Sequence, residues 1–173
     1  MDISAYIRDV PDFPVKGIIF KDITPLLKEA DVFGFAIQRL VQPYRSNPPD
    51  LIVAVEARGF LFAIPMAQQL GCGFAPVRKP GKLPAKTASR KYELEYGSDE
   101  IEIHVDAVQV GCRILIVDDV LATGGTATAT AALIEELGGV VVGLAFLMEL
   151  DFLQGRARLG KYDVRSLLRY GGE

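Results

Sequence analysis

The run Arg113–Thr126 constrains the fold more than any other stretch of the chain. It opens with Ile114–Val117, an apolar segment too short for a helix and β-branched enough for a buried parallel strand. Asp118 and Asp119 follow at its end. Next come the small-residue loop Ala122, Thr123, Gly124, Gly125 and Thr126 and an Ala/Thr-rich helical segment, Ala127–Leu137. Glycine lets the backbone approach an anion, and free N–H groups at a helix start point toward it. The hydroxyls of Thr123 and Thr126 add donors. Carboxylates cannot face a phosphate, so Asp118 and Asp119 suit ribose hydroxyls beside it, or a hydrated Mg²⁺ reached indirectly. Any strand-to-helix connection of an α/β protein can carry Gly and Thr, but the whole run is more specific. The chain has neither the Gly-Lys-Ser/Thr of a P-loop nor a Gly-x-Gly-x-x-Gly run. A phosphorylated sugar therefore fits better than a nucleoside triphosphate or a dinucleotide.

The remaining segments alternate strand and helix signals. Leu51–Val55 reads as a buried strand, followed by a turn at Glu56–Gly59, a helix to Leu70 with Gly71 as its terminator, and a short strand at Phe74–Val77. Val140–Met148 and Tyr162–Leu168 read as two more strands, the last at an edge, with a turn or short helix at Gly155–Gly160. This order predicts an α/β fold, a mainly parallel central sheet with helices on both faces. Ligands bind such sheets at the carboxyl ends of the strands, where Arg58 stands ready either for an anion or for a surface ion pair. Arg78, Lys79 and Lys82 put three cations into five residues at the next strand end. With Arg58 they form a cluster suited to pyrophosphate.

Outside this frame, the prolines at 11 and 14 keep the opening segment extended, and Ile18–Phe20 is either core or an aromatic arm that closes over a flat ligand. Thr24 with Pro25 reads as a helix start, and Phe33, Ala36, Ile37, Leu40 and Val41 line one helix face. Pro80–Arg90 lacks apolar periodicity, as expected of a disordered segment or an active-site lid. Tyr92, Leu94 and Tyr96 alternate with polar residues, as do Ile101, Ile103 and Val105 beyond the turn residues Gly97-Ser-Asp, so a hairpin with one polar face follows. His104 falls on that polar face and reads as a surface residue.

The 173 residues suit one domain, and the net charge of −3 gives no reason to expect nucleic acid. No apolar stretch spans a bilayer and no export signal opens the chain, which points to the cytoplasm and to reduced, buried Cys72 and Cys112.

Val117-Asp-Asp-Val-Leu-Ala-Thr-Gly-Gly-Thr resembles the phosphoribosyl diphosphate (PRPP) motif of the type I phosphoribosyltransferases. Pro11-Asp-Phe-Pro with Gly17-Ile-Ile-Phe-Lys-Asp, Ala57-Arg-Gly-Phe, Arg78-Lys-Pro-Gly-Lys-Leu-Pro and Leu94-Glu-Tyr-Gly narrow the resemblance to the adenine-specific members, over nearly the whole chain. The resemblance implies transfer of a 5-phosphoribosyl group to adenine, giving AMP and pyrophosphate with Mg²⁺. It implies the type I fold, with a hood at about residues 1–30, a mobile lid hairpin at about 80–105, and a homodimer. By position, Ala122–Thr126 would hold the 5-phosphate and Asp118 and Asp119 the ribose. Arg58, Arg78, Lys79 and Lys82 would meet pyrophosphate. Ile19, Phe20, Lys21 (through its backbone) and Leu150 would enclose adenine, with no metal ligand directly from protein and Mg²⁺ held through PRPP and water. Glu95 matches the residue that handles the base's proton, and Tyr96 sits beside the reacting centre. Two other functions compete: transfer to another purine such as hypoxanthine or xanthine, and a PRPP-sensing regulator without catalysis.

Overall fold

A computed structural model describes residues 1–93 and 97–172. In chain order the elements are β1 (Arg8–Pro11), β2 (Ile19–Asp22), α1 (Thr24–Lys28), α2 (Ala30–Val41), β3 (Leu51–Val55), α3 (Arg58–Leu70) and β4 (Gly73–Val77). They continue with β5 (Thr87–Glu93), β6 (Ser98–His104), β7 (Arg113–Leu121), α4 (Gly125–Glu136), β8 (Val140–Leu150), α5 (Gly155–Arg158) and β9 (Val164–Tyr170). The central sheet runs β4-β3-β7-β8-β9, with every neighbouring pair parallel. The predicted α/β class holds.

Each face of the sheet carries its own core. On one, Phe62 and Met66 of α3 and Ile37 and Leu40 of α2 pack on Ile52, Leu115 and Leu147. On the other, Leu133 and Ile134 of α4 cover Val53, Ile116 and Phe146. Ile101 and Ile103 of the β5–β6 hairpin join this second core with no exposed surface. Ala88 and Tyr92 of its first strand pack there too, so both strands anchor the hairpin.

Between β3 and β7 the direction of winding reverses: the chain moves from β3 outward to β4, then returns to β7 and continues to β8 and β9 on the other side. Such a reversal leaves a crevice at the strand ends that no crossover helix covers.

Several local expectations need correcting. β7 runs through both aspartates to Leu121, because its pairing with β8 continues to Leu121↔Glu149. The acidic pair lies inside the strand, and β8 similarly takes in Glu149 and Leu150. The opening segment is more than extended: β1 and β2 pair antiparallel as a small separate hairpin. Thr24 is not the cap of α1. It is the helix's first residue, after Ile23 at the cap position, and Asp22 Oδ1 accepts from the Thr24 N–H (2.9 Å) and hydroxyl (2.7 Å). The hairpin β5–β6 starts at Thr87, inside the stretch expected to be irregular. Cys72 and Cys112 are free and only half-buried. His104 is half-buried too, its Nε2 accepting the Ala85 N–H at 3.2 Å.

Candidate active site

At the reversal point lies a cleft of about 300 Å³, lined by Glu56, Ala57 and Arg58 after β3, Asp118–Leu121 of β7, the turn Ala122–Thr126, and Lys79, Tyr92 and Asp99 from the opposite side. Stretches far apart in sequence thus meet around one space.

The turn is built by two close backbone approaches. Gly124 has φ +81°, a left-handed conformation that glycine adopts freely, and α4 begins at the next residue. A Cβ on Gly124 would lie 2.7 Å from the Gly155 carbonyl oxygen, and one on Gly155 would lie 2.2 Å from the Ala122 carbonyl oxygen. The start of α5 is therefore pressed against the turn from behind. Arg156 holds it there, its Nε donating to Glu149 Oε1 at 2.9 Å and its Nη1 to the Val164 carbonyl at 2.6 Å. The Thr126 Oγ1 donates to the Tyr92 hydroxyl at 3.2 Å. No sequence signal named Gly155, because its partner lies thirty residues away on another strand connection.

The acidic pair is unusual for a strand. Asp119 is buried (3 % exposed) and Asp118 half-buried. Burial holds both carboxyls above the usual range, Asp118 well above it, with the neighbouring Asp119 adding repulsion; Arg58 partly opposes the shift in both. Arg58 Nε lies 2.9 Å from Asp119 Oδ2, yet the alignment is not that of a hydrogen bond and this buried oxygen receives no donor among the described residues. The site thus presents an acceptor that a ligand hydroxyl or a metal-bound water can satisfy. Gly59 permits α3 to approach: a Cβ there would lie 2.9 Å from Asp118 Oδ1.

Of the expected cation cluster, Arg58 and Lys79 line the cleft, while Arg78 and Lys82 do not. The Arg78 guanidinium instead grips Glu56 through two bonds, Nη2 to Oε1 at 2.6 Å and Nε to Oε2 at 3.0 Å. That pairing holds the Glu56 carboxyl below the usual range. Arg78 Nη1 also donates to the Lys82 carbonyl at 3.0 Å, and the Lys82 side chain is exposed. Arg78 therefore shapes the cleft wall from behind rather than facing into the space. Lys79 is ion-paired with Asp99.

The β1–β2 hairpin is tied down at two points. The Phe20 ring lies 5.1 Å under the Arg58 guanidinium and meets Phe13 edge-on at 5.2 Å. Lys21 reaches Asp9 at 2.6 Å and covers the ring of Tyr170, the residue paired with Leu150 across β8 and β9. Ile19 is half exposed. The Lys21 side chain is occupied by these contacts. None of Ile19, Phe20, Lys21 and Leu150 lines the cleft itself. Glu95 and Tyr96 lie outside the described residues. No group of three potential metal-ligating His, Cys, Asp or Glu side chains occurs among the described residues.

Comparisons with known proteins give the family and the fold. Residues 21–169 match the family described as "Phosphoribosyl transferase domain". The adenine phosphoribosyltransferase of Desulfitobacterium hafniense (strain Y51) is 58 % identical over 98 % of this chain and 98 % of its own. The crystal structure of the adenine phosphoribosyltransferase of Thermoanaerobacter pseudethanolicus superposes with a TM-score of 0.94 at 58 % identity, covering 97 % of this chain and 98 % of that one. The Saccharomyces cerevisiae enzyme of the same name, solved with an imino-altritol bisphosphate and adenine, gives 0.90 at 41 % identity over 95 % and 96 % of the two chains.

Proposed function

The chain belongs to the adenine phosphoribosyltransferase family, and from that membership we propose how its own residues divide the family's reaction in purine salvage, the transfer of the 5-phosphoribosyl group of PRPP to adenine with release of pyrophosphate and formation of AMP. The observation that carries the proposal is the meeting of a glycine phosphate turn, an under-satisfied acid pair and two cations in one cleft at the winding reversal.

The 5-phosphate sits in Ala122–Thr126, against the N–H groups that open α4 and the threonine hydroxyls. The vicinal ribose hydroxyls donate to Asp118 and Asp119, which supplies the donor that Asp119 Oδ2 lacks. Arg58 and Lys79 face the pyrophosphate end, and Arg78 and Lys82 act there only through Glu56 and through the backbone of their own loop. As the bond from the anomeric carbon to pyrophosphate lengthens, positive charge grows on the sugar and negative charge on the leaving group, which these cations stabilise. The acid pair stands on the sugar side, where carboxylates oppose the growing positive charge. Mg²⁺ bound through PRPP and water would supply further neutralisation of the leaving group, and the buried Asp119 Oδ2, unpartnered among the described residues, could accept from a metal-bound water.

Adenine lies between the β1–β2 hood, at Ile19 and Phe20 and the backbone of Lys21, and Leu150 at the end of β8. Its attacking ring nitrogen loses a proton in the net reaction. Glu95 takes that proton, and Tyr96 stands beside the reacting carbon. The lid that excludes water is the loop from Pro80 to the start of β5 at Thr87. The whole chain acts as one domain, as a homodimer in the cytoplasm. No helix among the described residues is long and apolar enough to cross a membrane.

The test is AMP formation from PRPP and a panel of purines, with and without Mg²⁺. Adenine is the fastest acceptor and Mg²⁺ is required. Faster turnover of hypoxanthine or xanthine would move the assignment to another base. PRPP binding with no AMP formed would make the chain a sensor.

A further inference from the structure

Three cation–carboxylate pairs border the cleft: Arg58 with Asp119, Arg78 with Glu56, and Lys79 with Asp99. The last is the least expected. Asp99 takes no part in the division of labour above, yet it faces a space meant for a highly anionic ligand. Its Oδ2 is paired with Lys79 and also accepts the Tyr92 hydroxyl at 3.1 Å, while that hydroxyl accepts from Thr126 Oγ1 at 3.2 Å. One chain of contacts therefore runs from the phosphate turn, through the β5–β6 hairpin, to the cation at the end of β4.

We propose that Asp99 is a positioning residue that serves as an internal counter-ion. Its carboxylate stands where a ligand phosphate oxygen would stand on Lys79, and it holds the hairpin against the phosphate turn through Tyr92. The ligand's pyrophosphate end competes with it for Lys79. The inference rests on the assignment of Lys79 to that end of the ligand.

Exposure separates this pair from the one between Arg156 and Glu149. The Glu149 side chain under Arg156 is 3 % exposed and braced by Ser166 as well. Lys79 and Asp99 are 48 % and 28 % exposed. Pairs this wet contribute on the order of 0.2–1 kcal/mol, so a multiply charged ligand can displace Asp99. Breaking the Glu149 pair would strand a buried charge, which no ligand at the surface can offset.

The decisive measurement is a calorimetric titration with pyrophosphate of the wild type, Asp99→Asn, Lys79→Met and the double variant, with melting curves for all four. Removing the competing carboxylate tightens pyrophosphate binding by about two- to fivefold. In the Lys79→Met background the same change has no effect, because the two residues act through one contact. A gain of equal size in both backgrounds would make the effect one of general charge. Unchanged or weaker binding in Asp99→Asn, or no pyrophosphate binding in any of the four, would overturn the proposal. Should Asp99→Asn melt early, Asp99→Ser serves, with the same gain expected. AMP formation by the wild type is scored separately: its absence would remove the functional assignment, while the titration would still decide the role of Asp99.

Discussion

The acid pair shows what a single residue's surroundings do to its chemistry. Asp118 and Asp119 were legible as a motif, and their neighbours explain why the motif works. Burial keeps both carboxyls above their ordinary range, so the pair retains a proton to higher pH than free aspartates do. Ribose hydroxyls favour the ionised form by donating to it. PRPP binding therefore releases a proton, and affinity rises with pH until the empty pair has lost its proton, then levels off. Calorimetry of PRPP binding in buffers of different ionisation enthalpy measures the release directly. An enthalpy independent of buffer across the acid range would remove the pair from the ribose site. Asp119→Asn should weaken PRPP binding, since it removes a carboxylate acceptor that the ribose would use. Glu95 poses the opposite case, a residue named by its motif alone. As a proton acceptor used during reaction, its change to Gln should lower kcat far more than it raises KM for PRPP. Unchanged turnover would take Glu95 off the catalytic list.

At the scale of elements, periodicity announced what is buried and missed what is held by contact. Ile114–Val117 declared β7 through four consecutive apolar residues, but the same rule stopped the strand at Asp118, since charges inside a strand look like a loop until the neighbouring strand is known. Pairing with β8 carries β7 on to Leu121. The β1–β2 hairpin escaped for a related reason: none of its strand residues is buried, so no alternation marks it. α5 is the sharpest example. Four residues long, it has no periodic signal, yet it supports the phosphate turn through the Gly155–Ala122 and Gly155–Gly124 contacts. A methyl group on Gly155 would lie 2.2 Å from the Ala122 carbonyl oxygen, backbone against which nothing flexible can give way. Gly155→Ala should cost about 1–3 kcal/mol of stability, as overpacking does, and the displaced turn should bind phosphate less well. The readout is a lower melting temperature together with an AMP affinity reduced by about tenfold, roughly the 1.4 kcal/mol that one displaced charge-assisted contact represents. Wild-type AMP affinity in a destabilised variant would confine Gly155 to packing.

For the whole molecule, the surface of α3 bears on the proposed homodimer. Beyond Arg58 the helix has no charged residue through Leu70, an odd composition for an element with one face in water. On that face Leu61 is 42 % and Ile64 52 % exposed, one turn apart, with Gln68 following a turn later. Loss of charge with retained large apolar side chains is the composition of an interface core. The same helix begins at Arg58 in the cleft, so an interface formed there would hold the pyrophosphate side of the site rigid from outside. Sedimentation of the wild type at micromolar concentration should give a dimer with a melting temperature that rises with protein concentration, since association stabilises only the folded chain. Ile64→Glu should convert it to a monomer with a concentration-independent melting temperature, because a glutamate desolvated at the centre of a two-fold contact meets its own copy. Were the variant to remain dimeric, the interface would lie elsewhere; were the wild type monomeric, the dimer itself would be gone, and Leu61 and Ile64 would be no more than exposed apolar residues on an otherwise uncharged helix.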